Sequence, residues 1–138
     1  MRIKPAFIAL TLSVVTFSSQ AAWVYQGGGC TYTTPDNVGQ IRITTQGKVA
    51  FIYIQKTCRE AGFKTGQTSI TWNGTQYPAT QICNAQLSRY AITMVPTQTS
   101  NMMLQDMIDH SSVMFHMNRT DYKVPTKGLR QTCRPMFY

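Results

Sequence analysis

Four cysteines constrain this chain more than any other feature: Cys30, Cys58, Cys83 and Cys133. Their spacing is long and irregular, and no two form a C-x-x-C pair. That pattern disfavours structural zinc and thioredoxin-like redox chemistry. An even number of cysteines in an oxidising compartment implies two disulfides. Three pairings are possible. Cys58–Cys83 with Cys30–Cys133 is preferred, because the outer bond then ties the two ends of the domain together. The loop-entropy relation gives ~3.5 kcal/mol for the inner bond and ~4.7 kcal/mol for the outer one.

The amino terminus supplies the compartment. Arg2 and Lys4 form a short positive region, an apolar stretch runs from Ala6 to Phe17, and Ser18-Ser19-Gln20-Ala21 follows. Small residues at Ser19 and Ala21 suit signal peptidase, so residues 1–21 read as a cleavable signal peptide and 22–138 as one disulfide-stabilised domain. The apolar run is too short for a ~30 Å hydrocarbon core, and no later segment is apolar enough to span one. A lipoprotein site at Gly29-Cys30 fits poorly. Trp23, Val24 and Tyr25 separate that cysteine from the apolar run, and lipidation leaves three cysteines. The expected location is periplasmic or secreted.

Cleavage leaves 117 of the 138 residues. Removing Arg2 and Lys4 from the 13 Lys/Arg leaves 11 against 5 Asp/Glu, a net charge of +6. Such a balance suits an acidic partner, such as a lipopolysaccharide, an anionic lipid or an acidic protein. The cations never form a run of three, so ordinary solubility explains the charge equally well, and nucleic acid is not the expected partner.

The apolar periodicity is mostly that of strands. Ile41–Thr44 alternates as a half-buried strand does. Val49–Ile54 is apolar on both faces, as a central strand is. Residues 68–72 and 75–77 flank Asn73-Gly74, the dipeptide of a two-residue type I′ turn. That register places Trp72 opposite Thr75 and Ile70 opposite Tyr77, with Ile70, Trp72 and Tyr77 on one face. Tyr90–Val95 is a further strand, ended by Pro96. Ser100 then reads as the N-cap of a helix over Asn101–Asp109, with Met103, Leu104, Met107 and Ile108 on one face. Val113–Met117 returns to strand pattern, Asn118–Asp121 turns the chain, and Tyr122–Val124 pairs back. Thr126 is placed to cap a last helical turn over Leu129–Thr132, stopped by Arg134-Pro135. The fold class is therefore mainly β (α+β). An antiparallel sheet or β-sandwich-like domain carries one short helix, a C-terminal helical turn and two disulfides.

Residues 68–133 resemble the invasion-associated locus B family of exported Gram-negative proteins. The resemblance lies in Ile70-Thr71-Trp72-Asn73-Gly74, Gln81-Ile82-Cys83, the Met103–Ile108 helix, Val113-Met114-Phe115 and Val124-Pro125-Thr126-Lys127-Gly128-Leu129. It implies an exported, β-rich protein linked to host-cell association. It transfers no catalytic motif, and the first half of the chain shows no correspondence.

Catalytic signals are sparse. His110 and His116 with a lysine can run acid–base cleavage of RNA. Yet His110 falls at a helix C-terminus, where an imidazolium complements the dipole. There is no Gly-x-Ser-x-Gly elbow, and the acids are too scattered for a glycosidase pair. Met103, Met107 and His110 share a helix stripe that offers soft ligands to Cu(I), but flexible Met is a common core filler. No metal and no cofactor is expected. Gly27-Gly28-Gly29 is no phosphate loop and reads as a flexible approach to Cys30. Asn73-Gly-Thr75 and Asn118-Arg-Thr120 match the glycosylation sequon, which carries little meaning after a bacterial-type export signal.

The aromatics near turns and chain ends are the better contact candidates. Trp23, Tyr25, Arg119, Tyr122, Lys123, Phe137 and Tyr138 form the expected binding set, while Trp72 and Tyr77 are assigned to the core. The leading expectation is a non-enzymatic exported binding protein of the bacterial envelope that recognises a protein or an anionic envelope or glycan ligand. The alternatives are a periplasmic immunity, inhibitor or phage-exclusion protein, a glycan-binding toxin subunit and a small basic hydrolase.

Overall fold

In the computed structural model, which describes residues 22–137, apolar alternation becomes a single antiparallel sheet. The signal peptide expected over residues 1–21 and the candidate Tyr138 lie outside the described residues. The strands are β1 (Trp23–Gln26), β2 (Gly29–Thr33), β3 (Gly39–Thr44), β4 (Val49–Tyr53), β5 (Gly66–Trp72), β6 (Thr75–Ile82), β7 (Ile92–Met94), β8 (Ser112–Met117) and β9 (Thr120–Pro125). Their order across the sheet is β9-β8-β5-β6-β7-β4-β3-β2-β1. Three short helices are interspersed: α1 (Cys58–Ala61), α2 (Thr97–Asp109) and α3 (Leu129–Thr132). Among the described residues no helix is long and apolar enough to cross a membrane.

The sheet curls over its own inner face, so the sandwich-like character comes from one sheet. Three strands separate β4 from β8, yet the rings of Phe51 and Phe115 lie 5.6 Å apart. Phe51 also meets Trp72 edge to face at 6.1 Å. Ile41, Ile43, Tyr32 and Val124 complete this buried interior. Both disulfides pair as preferred from the sequence, Cys30 with Cys133 and Cys58 with Cys83.

The Asn73-Gly74 hairpin has the expected register, with Trp72 opposite Thr75 and Ile70 opposite Tyr77. Both turn residues have positive φ, 48° and 83°, as a type I′ turn requires. Gly27 and Gly28 do the same at 63° and 77°. They are therefore a tight β1–β2 turn and not a flexible approach to Cys30. Gly39 answers a different need. A Cβ there would stand 2.5 Å from the Met117 sulfur, so a larger residue at that point would make the Met117 side chain shift.

Two expected caps do other work. Ser100 lies inside α2, which starts after Pro96. Its hydroxyl, fully buried, accepts the Val49 N–H at 3.0 Å. Thr126 is also buried, and its hydroxyl donates to the His110 carbonyl while Gly128 precedes α3. Arg134-Pro135 does not end the helical path, because a 3₁₀ turn continues through Arg134–Met136. Helix α1 had no counterpart in the sequence reading.

Ser100→Ala removes the acceptor of a buried backbone N–H, which costs about 1–3 kcal/mol, partly offset by the better helix propensity of Ala. Urea unfolding should show a lower midpoint with an unchanged slope.

Candidate functional site

The expected contact residues divide in two. Trp23 is 6% exposed, and its indole donates to the Pro125 carbonyl at 2.9 Å while the ring packs on Tyr32. Tyr122 is 8% exposed and stacks on Phe115. Phe137 is half-buried against the core. These rings serve packing, which corrects their assignment to an accessible contact surface. Tyr25, Arg119 and Lys123 do stay exposed. No hydrogen bond, ion pair or ring contact joins these three among the described residues.

Tyr122 instead anchors a polar link from β9 to the exposed loop between β2 and β3. Its hydroxyl donates to Asp36 Oδ2 at 2.8 Å. Desolvation opposes ionisation of Asp36. Hydrogen bonds from Thr34, from Tyr122 and from the Val38 backbone outweigh it and hold the carboxyl below its ordinary range. Burial first, and then the Asp36 carboxylate, push the Tyr122 phenol up to about 12.

The copper stripe does not assemble. Met103 and Met107 are buried in the core, whereas His110 is exposed with Nδ1 3.0 Å from the Asp106 carbonyl. No cluster of three His, Cys, Asp or Glu suited to a metal occurs among the described residues.

A cleft of about 210 Å³ opens at one end of the curled sheet. Strand alternation builds it. Tyr53 ends β4, Thr68 and Ile70 lie on the inner face of β5, and Gln81 stands opposite Thr93 across β6 and β7. Phe63, just after α1, closes one wall by meeting Tyr53 edge to face at 5.3 Å. Ile70, Ala91 and Met117 supply the apolar lining.

The polar groups of the cleft are held but not consumed. Gln81 donates its amide to the Lys64 carbonyl at 2.8 Å, which leaves its Oε1 open. The Thr68 and Thr93 hydroxyls have no hydrogen-bond partner among the described residues. At the rim, His116 Nδ1 lies 2.8 Å from Asp121 Oδ1. A carboxylate only accepts, so Nδ1 carries the proton in that bond, and Nε2 has no hydrogen-bond partner among the described residues. No Lys, Arg, Asp or Glu lines the cleft.

Two hollows lie elsewhere, on the outer face of β1–β3. The larger, about 320 Å³, is formed by Gln26, Gly27–Gly29, Arg42 and threonines. It has no aromatic wall. The mouth cleft combines rings, apolar lining and open hydrogen-bonding groups, which is the composition of small-ligand sites. None of Tyr53, Phe63, Thr68, Gln81 or Thr93 was singled out from the sequence.

The Asp36–Tyr122 link gives a two-sided pH dependence. A lowered carboxyl stabilises the fold above its unfolded pKa and is lost as pH falls through the folded value. A raised phenol stabilises below its unfolded pKa near 10, and that contribution disappears as pH climbs toward about 12. Tyr122→Phe should lower stability by about 1–2 kcal/mol at neutral pH. Thermal melts of the two proteins should converge between pH 10 and about 12.

No known protein family, no characterised protein and no solved structure matches the chain.

Proposed function

We propose that this chain is an exported, non-enzymatic binding protein of the bacterial envelope, and that its mouth cleft holds one ring of an envelope or host glycan. Export draws on the signal-like residues 1–21 and on the two disulfides, which persist in oxidising compartments. The resemblance of residues 68–133 to the invasion-associated locus B family favours host association as the setting.

The carrying observation is the pairing of an aromatic wall with uncharged, unspent hydrogen-bonding groups. A sugar ring has an apolar C–H face and a rim of hydroxyls. Tyr53 and Phe63 offer a surface for the first. Thr68, Thr93, the Gln81 carbonyl and the His116 imidazole offer partners for the second. The uncharged lining suits a neutral ring better than a carboxylate or an ammonium, which would be desolvated without a counter-charge.

Phe63→Ala removes half of the aromatic wall and leaves the sheet intact. Saccharides of bacterial envelopes and host surfaces, screened against the oxidised protein and then titrated by calorimetry, should include at least one binder. Phe63→Ala should weaken it about tenfold or more, or ~1.4 kcal/mol. An unbroken series of non-binders, or an unaffected Phe63→Ala protein, would sink the proposal.

A further inference from the structure

A basic surface that the cleft does not use lies in the cap beside the mouth. It is built around the Cys58–Cys83 disulfide. Lys56 precedes Thr57, the N-cap of α1, and Arg59 follows Cys58 on the helix. The Cys58 N–H donates to the Arg89 carbonyl at 2.8 Å, which fastens the loop after β6 to the helix. Lys64 precedes Thr65, whose hydroxyl accepts the Cys83 N–H at 2.8 Å. Four exposed cations, Lys56, Arg59, Lys64 and Arg89, therefore surround one covalent crossing. The carboxylate among them is Glu60, and it is engaged in a capping box with Thr57. Among the described residues none of the four cations lies within ion-pair distance of a carboxylate, although Lys56 adds a through-space pull on Glu60.

An apolar finger stands in the same cap. Leu87 is 72% exposed, more than any other large apolar side chain described. Its loop is ordered by its own hydrogen bonds. The Asn84 carbonyl accepts the N–H groups of Leu87 and Ser88, each at 2.9 Å, and the Asn84 side chain accepts the Gln86 N–H. The Ser88 hydroxyl accepts the Tyr90 N–H at 3.1 Å. A folded turn thus holds a leucine in water, two residues from Arg89.

We infer that this cap docks on an anionic lipid surface, with Leu87 entering the headgroup–acyl boundary and Lys56, Arg59, Lys64 and Arg89 on the headgroup charges. Cations alone fit any polyanion. An exposed leucine among them gains where an apolar layer lies beneath the negative charge, which is the structure of a lipid interface. A nucleic acid offers the charge without that layer.

The test uses the oxidised protein with phospholipid vesicles, which carry no saccharide, so the outcome is independent of the glycan reading. Co-sedimentation should occur with phosphatidylcholine vesicles that contain about a quarter phosphatidylglycerol and not with phosphatidylcholine alone. Added salt should weaken it. Arg59→Gln and Lys64→Gln should each reduce partitioning about fivefold, and Leu87→Ser about tenfold. All three side chains are exposed, and circular dichroism checks that the fold survives. Three results would overturn the inference: no binding to the anionic vesicles, an unaffected Leu87→Ser protein, or an equal loss from Lys123→Gln on β9.

Discussion

Fastening the first strand to the end of the chain is the constraint on which the rest of the structure depends. Among the described residues the nine strands run in linear order from β9 to β1, with no ladder joining these two edges, and open edges invite pairing with other chains. Here the curl brings those edges together without a backbone ladder. The Trp23 indole reaches across to the Pro125 carbonyl, and Cys30 on β2 is bonded to Cys133 just after α3. Leu129 and Met136 fill the seam from the C-terminal segment. The outer disulfide spans 103 residues, which the loop-entropy relation values at roughly 4.7 kcal/mol against the unfolded chain. Lys123 and Pro125 on β9 are residues that discourage further edge pairing.

Closure makes the two ends of the curled sheet unequal. At one end α2 lies across the opening. Met103 and Met107 are buried there, the Trp72 indole donates to Asp106 at 2.9 Å, and Ser100 takes the Val49 N–H. That end is filled. At the other end the inner face runs out into hydroxyls, an amide and the Tyr53–Phe63 wall, and α1 with its disulfide stands beside the opening. The cleft and the basic cap are thus neighbours because one fold end is plugged and the other is left to loops.

Much of the scaffold was legible locally. Asn73-Gly74 and its flanking alternation carry their own register. The doubly apolar Val49–Ile54 run is found between β3 and β7. The cysteine pairing followed from tying the ends. What was missed depends on distant pairing or on competing uses of one residue type. Gly27-Gly28-Gly29 has no alternating flank strong enough to announce a hairpin. Helix α1 is too short for periodicity, although Thr57-x-x-Glu60 is a capping-box signature that was present to be read. Ser100 before an apolar stripe reads as a cap, and only the tertiary fold turns it to Val49. Trp23 and Tyr122 sit near chain ends, where aromatics look exposed, until the fold buries Trp23 against Tyr32 and Tyr122 against Phe115. The cleft arises from the β4–β7 and β5–β8 pairings, and no local pattern encodes those.

Hydrogen exchange on Trp23→Phe tests the closure most directly, because the substitution removes one N–H donor and leaves both disulfides in place. If closing the seam is one cooperative act, the slowest amides of β4 and β5 lose protection by the same factor as those of β1 and β9. That factor is about tenfold for one lost, partly buried hydrogen bond. Faster exchange confined to β1 and the C-terminal helical segment, with β4 and β5 unchanged, would contradict it and make the seam a local fastening on a sheet that holds itself together.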